Sequence, residues 1–189
     1  MKKFLNYLLI AATSCCCLTA KSQSQEDMKA MMAYMTPGQI HQMMAKSTGD
    51  WTGVVTLWAQ PGAAPMTMTC TADNKMILDG RYLVSTNKGT MMNMPFEGIS
   101  TTGYDNAKKV FVNSWIDNMG TGMMHLEGTW DAQNNAINFT GTMVDPISGK
   151  DVPVREVMKF VDDKMQVMEM YAIADGKEYK SMEVKYSRK

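Results

Sequence analysis

The side chains that could carry out acid–base chemistry are few in this sequence. His125 lies two residues before Glu127 and eight residues after Asp117. An imidazole beside a carboxylate is a common arrangement for general acid–base catalysis. No Ser-His-Asp arrangement and no glycine-rich phosphate loop accompanies this group. The sequence therefore predicts no enzymatic activity and no catalytic residue, and it favours a surface or hydrogen-bonding role for His125.

The cysteine that could act as a nucleophile is Cys70. It lies in a run, Met66 to Thr71, in which apolar and hydroxyl residues alternate as in a β-strand. A thiolate nucleophile needs a neighbouring base, and His41 and His125 are the two imidazoles in the chain. We expect Cys70 to be a buried strand residue without catalytic function.

Methionine is unusually frequent, with 22 residues in a chain of 189. Thioethers are soft ligands that select Cu(I), so a methionine-rich copper-binding protein is one alternative. Methionine also replaces leucine as a flexible core residue, and this interpretation predicts no metal site and no cofactor. The clusters are Met28, Met31, Met32 and Met35; Met43 and Met44 beside His41; Met91, Met92 and Met94; and Met119, Met123 and Met124 beside His125.

Residues 1–22 have the features of a secretory signal peptide. Two lysines precede an apolar stretch, residues 4–18, that is too short to anchor the chain across a bilayer. Small residues then favour cleavage before Gln23. We expect an exported protein, periplasmic or extracellular. Cys15 to Cys17 leave lipoprotein anchoring as the alternative, although the leucine that usually stands three residues before the modified cysteine is absent.

Charge and size exclude several classes of function. Without residues 1–22 the chain has about 167 residues, enough for one domain, with 16 Lys and Arg against 19 Asp and Glu. This balance supplies no basic surface for nucleic acid. Hydrophobic residues make up 45% and charged residues 20%, which is typical of a globular protein and predicts no transmembrane helix.

The remaining sequence predicts an all-β domain. We expect a flexible lead-in over residues 23–35, and a helix capped by Thr36 and ending near Ser47. Residues 36–189 form the predicted domain, in which short period-two runs alternate with Gly, Pro, Asn and Asp. The predicted strands are Trp51–Gln60, Met66–Ala72, Lys75–Leu78, Arg81–Asn87, Pro95–Tyr104, Lys109–Asp117, Gly122–Asp131, Ala136–Val144, Val152–Val161, Lys164–Ala172 and Lys177–Ser187.

Short connections between successive strands favour a meander that closes into an antiparallel up-and-down barrel of about ten strands. The turn signal Asp73-Asn74 predicts a break between two of the strands, and residues 88–94 are expected to form a lid or a wide loop. The short N-terminal helix is expected to cover one end of the barrel.

Several motifs resemble the calycins, the group that contains lipocalins and fatty-acid-binding proteins. An early Gly49-Asp50-Trp51 and a late Tyr186-Ser187-Arg188 match the calycin pattern of a tryptophan covered by a basic residue. The sequence from Gln39 to Arg188 is similar to a bacterial secreted family of unknown function grouped with the calycins. The motifs are Gly80-Arg81-Tyr82-Leu83, Met94-Pro95-Phe96-Glu97-Gly98, Gly103-Tyr104-Asp105, Trp115-Ile116-Asp117, Gly128-Thr129-Trp130-Asp131, Asp145-Pro146 and Met182-Glu183. The resemblance implies a lipocalin-like barrel and no particular activity.

The candidate ligand-binding residues mix aromatic and polar side chains, as ligand pockets do. They are Arg81, Tyr104, Phe111, Trp115, Asp117 and His125. Period two alone does not decide which strand face points into the barrel. The sequence predicts a small, partly apolar ligand held in the barrel without chemistry; the alternatives are Cu(I) binding, or a packed barrel that acts through surface contacts with other proteins.

Overall fold

Residues 25–189 are described by the structure, a computed structural model. The predicted signal peptide and Cys15 to Cys17 lie outside the described residues. The elements are α1 Gln25–Met35, α2 Gln39–Ala45, β1 Gly49–Leu57, β2 Met66–Ile77, β3 Tyr82–Met91, β4 Met94–Asp105, β5 Val110–Asp117, β6 Met124–Asp131, β7 Ala136–Val144, β8 Asp151–Phe160, β9 Met165–Ala174 and β10 Lys177–Arg188.

The ten strands form one closed antiparallel barrel. Each strand pairs with its neighbours in sequence, and β1 pairs with β10 to close the sheet. The prediction of an all-β up-and-down barrel of about ten strands with short N-terminal helical structure is confirmed. Closure leaves no strand edge unpaired, which removes the usual route to edge-to-edge aggregation.

The turn predicted at Asp73-Asn74 is wrong, because β2 runs through it without a break. Asn74 points inward, where its Nδ2 donates to the carbonyl of Ser47 at 3.0 Å. Asp73 points outward and pairs with Lys75 at 2.5 Å. Both polar side chains therefore have partners in an extended backbone, so turn-forming residue types do not interrupt the strand.

The expected loop at residues 88–94 is also wrong, since most of this stretch belongs to β3 and β4. Met91 and Met94 are cross-strand partners, and Met92 and Asn93 form the turn with φ of 52° and 62°. Positive φ at both central residues matches the twist of the strands in a two-residue hairpin. The segment is a tight hairpin, not a lid.

The prediction that Thr36 begins the helix is wrong, because Thr36 lies between two helices. The Thr36 hydroxyl donates to the carbonyl of Met32 at 2.6 Å, at the end of α1. The second helix begins at Gln39, and the backbone N–H of Gly38 donates to Nδ1 of His41. Part of the expected lead-in is therefore α1, none of whose residues is buried. Neither helix in residues 25–189 is long and apolar enough to cross a membrane.

One end of the barrel, called here the covered end, is closed by α2. Met44 of α2 is buried in a cluster with inward side chains of the barrel. The cluster contains Met44, Phe111, Leu126, Ile137, Phe139 and Val154. The opposite rim is called the far end.

Candidate functional site

Pairing register and burial decide which strand face points inward. On β5, Phe111 is 0% exposed and Asn113 is buried, so these residues share the inner face with Trp115 and Asp117. Trp115 is the cross-strand partner of Ser100 on β4, and its indole lies over Gly98, where an added Cβ would come within 2.3 Å of the ring. The mixed aromatic and polar set of β5 therefore faces the interior.

The covered end is a structural cap built around Trp51. Trp51 is 1% exposed, and its Nε1 donates to the Ser47 carbonyl at 3.0 Å. The Arg188 guanidinium lies 4.3 Å from the centre of the indole. Arg188 also donates to the carbonyls of Lys46 and Thr48. The predicted stacking of Arg188 on Trp51 is confirmed.

Two predicted ligand-binding residues, Tyr104 and Phe111, lie inside the barrel near this cap. Their rings are 5.0 Å apart, and Phe111 is 6.4 Å from Phe139. Tyr104 also packs edge-on against His41, 6.1 Å away. These contacts place both residues in the packed core between α2 and the strands.

A layer of hydrogen-bonded polar side chains crosses the middle of the barrel. Asn113 donates to the hydroxyls of Ser100 and Thr102, at 2.9 and 2.8 Å. On the other side, the Tyr186 hydroxyl donates to Oδ1 of Asn87 at 3.1 Å. Asparagines buried in this way require partners, and they have them.

The interior of the barrel at this layer is called here the lumen. Tyr186 lies deep in the barrel, where burial raises the pKa of its hydroxyl. It is nevertheless only half-buried by accessible surface, as are Ser100 and Thr102 on the inner face. An eight-stranded barrel is just wide enough either for packed side chains or for one small ligand, and this barrel has ten strands.

Towards the far end, aromatic side chains form part of the inner wall. Trp115 stacks with Phe96 at 6.3 Å between ring centres. The Nε1 of Trp115 donates to Oδ2 of Asp117 at 2.7 Å, and the N–H of Met119 donates to Oδ1. Asp117 therefore orients the indole and has a partner for each carboxylate oxygen.

Glu156 is the inner-face residue that the sequence interpretation missed. It lies at mid-strand on β8, between Phe139 of β7 and Met170 of β9, and is 9% exposed. Burial raises its pKa to about 7. Among the described residues, no group donates a hydrogen bond to Glu156 and no cation pairs with it. Its place in the apolar alternation of Val154, Glu156 and Met158 is the sequence signal that could have identified it.

His125 lies on the outside of the barrel. It is exposed on β6, on the same face as Glu127, which approaches Lys108 at 3.7 Å. It lines a shallow outer depression of about 420 Å³ with Val112 and Thr140. Because Asp117 points inward, the barrel wall separates it from His125, and the two do not form an acid–base pair.

Arg81 lies at the covered end, outside the lumen. Its guanidinium donates to the carbonyls of Leu78 and Met35, and so links α1 to the β2–β3 turn. The pKa of the His41 imidazole is lowered, mainly because His41 is itself buried and also because the Arg81 charge lies nearby. Arg81 and His41 thus hold the helices against the barrel.

The remaining candidate ligands do not form a conventional metal site. In residues 25–189 no group of three His, Cys, Asp or Glu side chains is arranged to hold a metal ion. Cys70 is half-buried on β2, and burial raises the pKa of its thiol. Several methionines gather at the far end, where Met66 and Met94 are exposed and Met91 is half-buried.

Comparison with known protein families identifies the family to which this chain belongs. A family model described as a protein of unknown function (DUF1579) matches residues 36–188. The chain belongs to the DUF1579 family. This DUF1579 protein also resembles the crystal structure of Rv2717c from M. tuberculosis, with a TM-score of 0.60 and 12% sequence identity over 82% of this chain and 99% of that one. That likeness supports a calycin-like fold for the DUF1579 barrel. No curated protein matches it.

Proposed function

We propose that this protein is an exported calycin-like barrel that binds one small, partly apolar molecule in the lumen without transforming it. The observation that carries the proposal is the half-buried inner layer formed by Ser100, Thr102 and Tyr186. A barrel evolved only for packing fills its interior at high density, whereas these inward side chains keep accessible surface.

The chemistry of the inner wall supports the same proposal. Apolar and aromatic groups supply most of the lining, and a few polar groups orient the ligand, as in known small-molecule sites. The Trp115–Phe96 pair provides an apolar wall near the far end. His125 lies outside, and His41 accepts a hydrogen bond from Gly38. This placement favours binding over acid–base catalysis.

Uptake of an uncharged fluorescent probe tests the proposal. We expect a probe with a dansyl group and an undecyl chain ending in an alcohol to bind with a blue-shifted emission. Trp115→Ala removes the aromatic wall and is expected to weaken binding by about tenfold. Trp58→Ala is the matched control, because Trp58 follows β1 and packs with Lys180 at 5.5 Å. Failure of the probe to bind, or equal losses in both variants, would contradict the proposal.

Cu(I) binding at the far end is a second candidate, favoured by the cross-strand pair Met91 and Met94 at the rim. It requires stoichiometric Cu(I) uptake that is lost when both residues are changed to leucine. Such Met-to-Leu exchanges cost less than about 1.5 kcal/mol, so the double variant remains folded. Elemental analysis of the purified protein and titration against a Cu(I) chelator distinguish this candidate from lumen binding.

A further inference from the structure

Glu156 makes the middle of the lumen acidic. Its carboxylate is more than nine-tenths buried on the inner face of β8, with apolar neighbours Phe139 and Met170 on the adjoining strands. A buried carboxylate without a hydrogen bond or a cation loses the solvation that stabilises its charge. Such a group is stabilised when a ligand supplies the missing positive charge.

No basic side chain of the described barrel forms an ion pair with Glu156. Among the inward-facing positions of the ten described strands, the basic side chains are the exposed Lys177, opposite Ala174 at the far-end turn between β9 and β10, and Arg188 at the covered end. Its guanidinium is already engaged by Trp51 and by the carbonyls of Lys46, Thr48 and Asp163. Arg155, next in sequence to Glu156, points outward and pairs with Glu178 at 2.6 Å.

The other acidic group on the inner face differs from Glu156. Asp117 lies near the far end and accepts hydrogen bonds from Trp115 and from the backbone of Met119. The titratable groups near Glu156 on the inner face are the hydroxyl of Tyr186 on β10, on which the Glu156 charge acts, and the thiol of Cys70 on β2, which acts on the same hydroxyl. Burial keeps both of these neutral near neutral pH, so neither supplies a positive charge.

We infer that the lumen selects amphipathic ligands with a cationic amine head, and that Glu156 binds this head. The inference rests on the proposed function and names the class of ligand. The apolar tail would lie along the Trp115–Phe96 wall. The ammonium would donate to the Glu156 carboxylate. A carboxylate on the ligand would be repelled by the Glu156 carboxylate, because both groups are negatively charged.

Three probes that share the dansyl group and undecyl chain, and end in an amine, an alcohol or a carboxylate, test the inference. At about pH 8 we expect the amine to bind at least about tenfold more tightly than the alcohol, and the carboxylate most weakly. The amine stays protonated over the range used, so its advantage is expected to shrink towards about pH 5 as Glu156 takes up a proton.

Glu156→Gln is the decisive variant, because it keeps the shape of the side chain and removes the charge. It is expected to abolish both the preference for the amine and its dependence on pH, while binding of the alcohol changes little. Glu127→Gln is the control, because Glu127 lies on the outer face and is exposed. It is expected to keep the preference.

The outcomes separate the two proposals. If none of the probes binds the wild-type protein, the proposed function fails and the inference fails with it. If the alcohol binds and the amine is no better, or the carboxylate binds as well, the inference alone fails. It also fails if the preference persists in Glu156→Gln or disappears in Glu127→Gln. Circular dichroism of each variant establishes that the barrel is intact.

Discussion

Replacing Trp51 with alanine is expected to lower the free energy of unfolding by about 3–5 kcal/mol. Trp51 is 1% exposed at the covered end, so the change leaves a large cavity between α2 and the barrel. It also removes the hydrogen bond to the Ser47 carbonyl and the ring on which Arg188 lies. Urea unfolding followed by circular dichroism measures the loss.

Trp58→Ala is the matched control for this measurement. Trp58 is half-buried beyond the end of β1, and its main described partner is Lys180 at 5.5 Å. A cation–π contact contributes about 0.5–2 kcal/mol, so the expected loss is smaller than that for Trp51→Ala. Equal destabilisation by the two substitutions would show that Trp51 is not the structural cap of the barrel.

Stability is expected to fall with rising pH because of Glu156, by about 3 kcal/mol between about pH 4 and pH 8. Burial raises the pKa of Glu156 in the folded protein from 4.5 to about 7. Below the unfolded-state pKa the carboxyl is protonated in both states and carries no penalty. As the pH rises from about 4.5 to about 7, the unfolded chain releases this proton while the folded protein still holds it, so stability is lost; above about pH 7 both states carry the charge and the loss is complete.

Glu156→Gln removes this penalty. We expect the variant to equal the wild type at about pH 4 and to be more stable by about 3 kcal/mol at about pH 8. Urea unfolding at several pH values measures the difference. Glu127→Gln, on the exposed outer face of β6, is expected to change stability little at any pH. A gain from Glu156→Gln that is the same at every pH would contradict this origin of the effect.

The same carboxylate connects stability with ligand choice. A buried charge that costs folding free energy in the empty barrel is neutralised when a cationic ligand binds it. Proteins often place such destabilising groups where a ligand is recognised. Under the proposed function, the buried Glu156 charge lowers the folding stability of the empty protein, and the same charge gives the protein its preference for an amine ligand.

Local sequence patterns were sufficient to predict the barrel. Period-two runs and turn residues indicated about ten antiparallel strands, because alternation follows from the pleat of each strand. The Trp51–Arg188 contact was also predictable. The local rules were wrong where long-range contacts override them: Asn74 stays in β2 because Ser47, distant in sequence, accepts its hydrogen bond. The hairpin at Met92-Asn93 was missed because neither residue is glycine.

By itself, the sequence determined the fold class, the strand order and the tryptophan cap of this DUF1579 protein, since these follow from periodicity and short connections. Only the tertiary structure decided which face of each strand points inward, because both faces have the same period. Closure placed Trp115 and Asp117 inside and His125 outside. It also placed Glu156 in the lumen with no cationic partner among the described residues, because partners in a barrel come from strands that are remote in sequence.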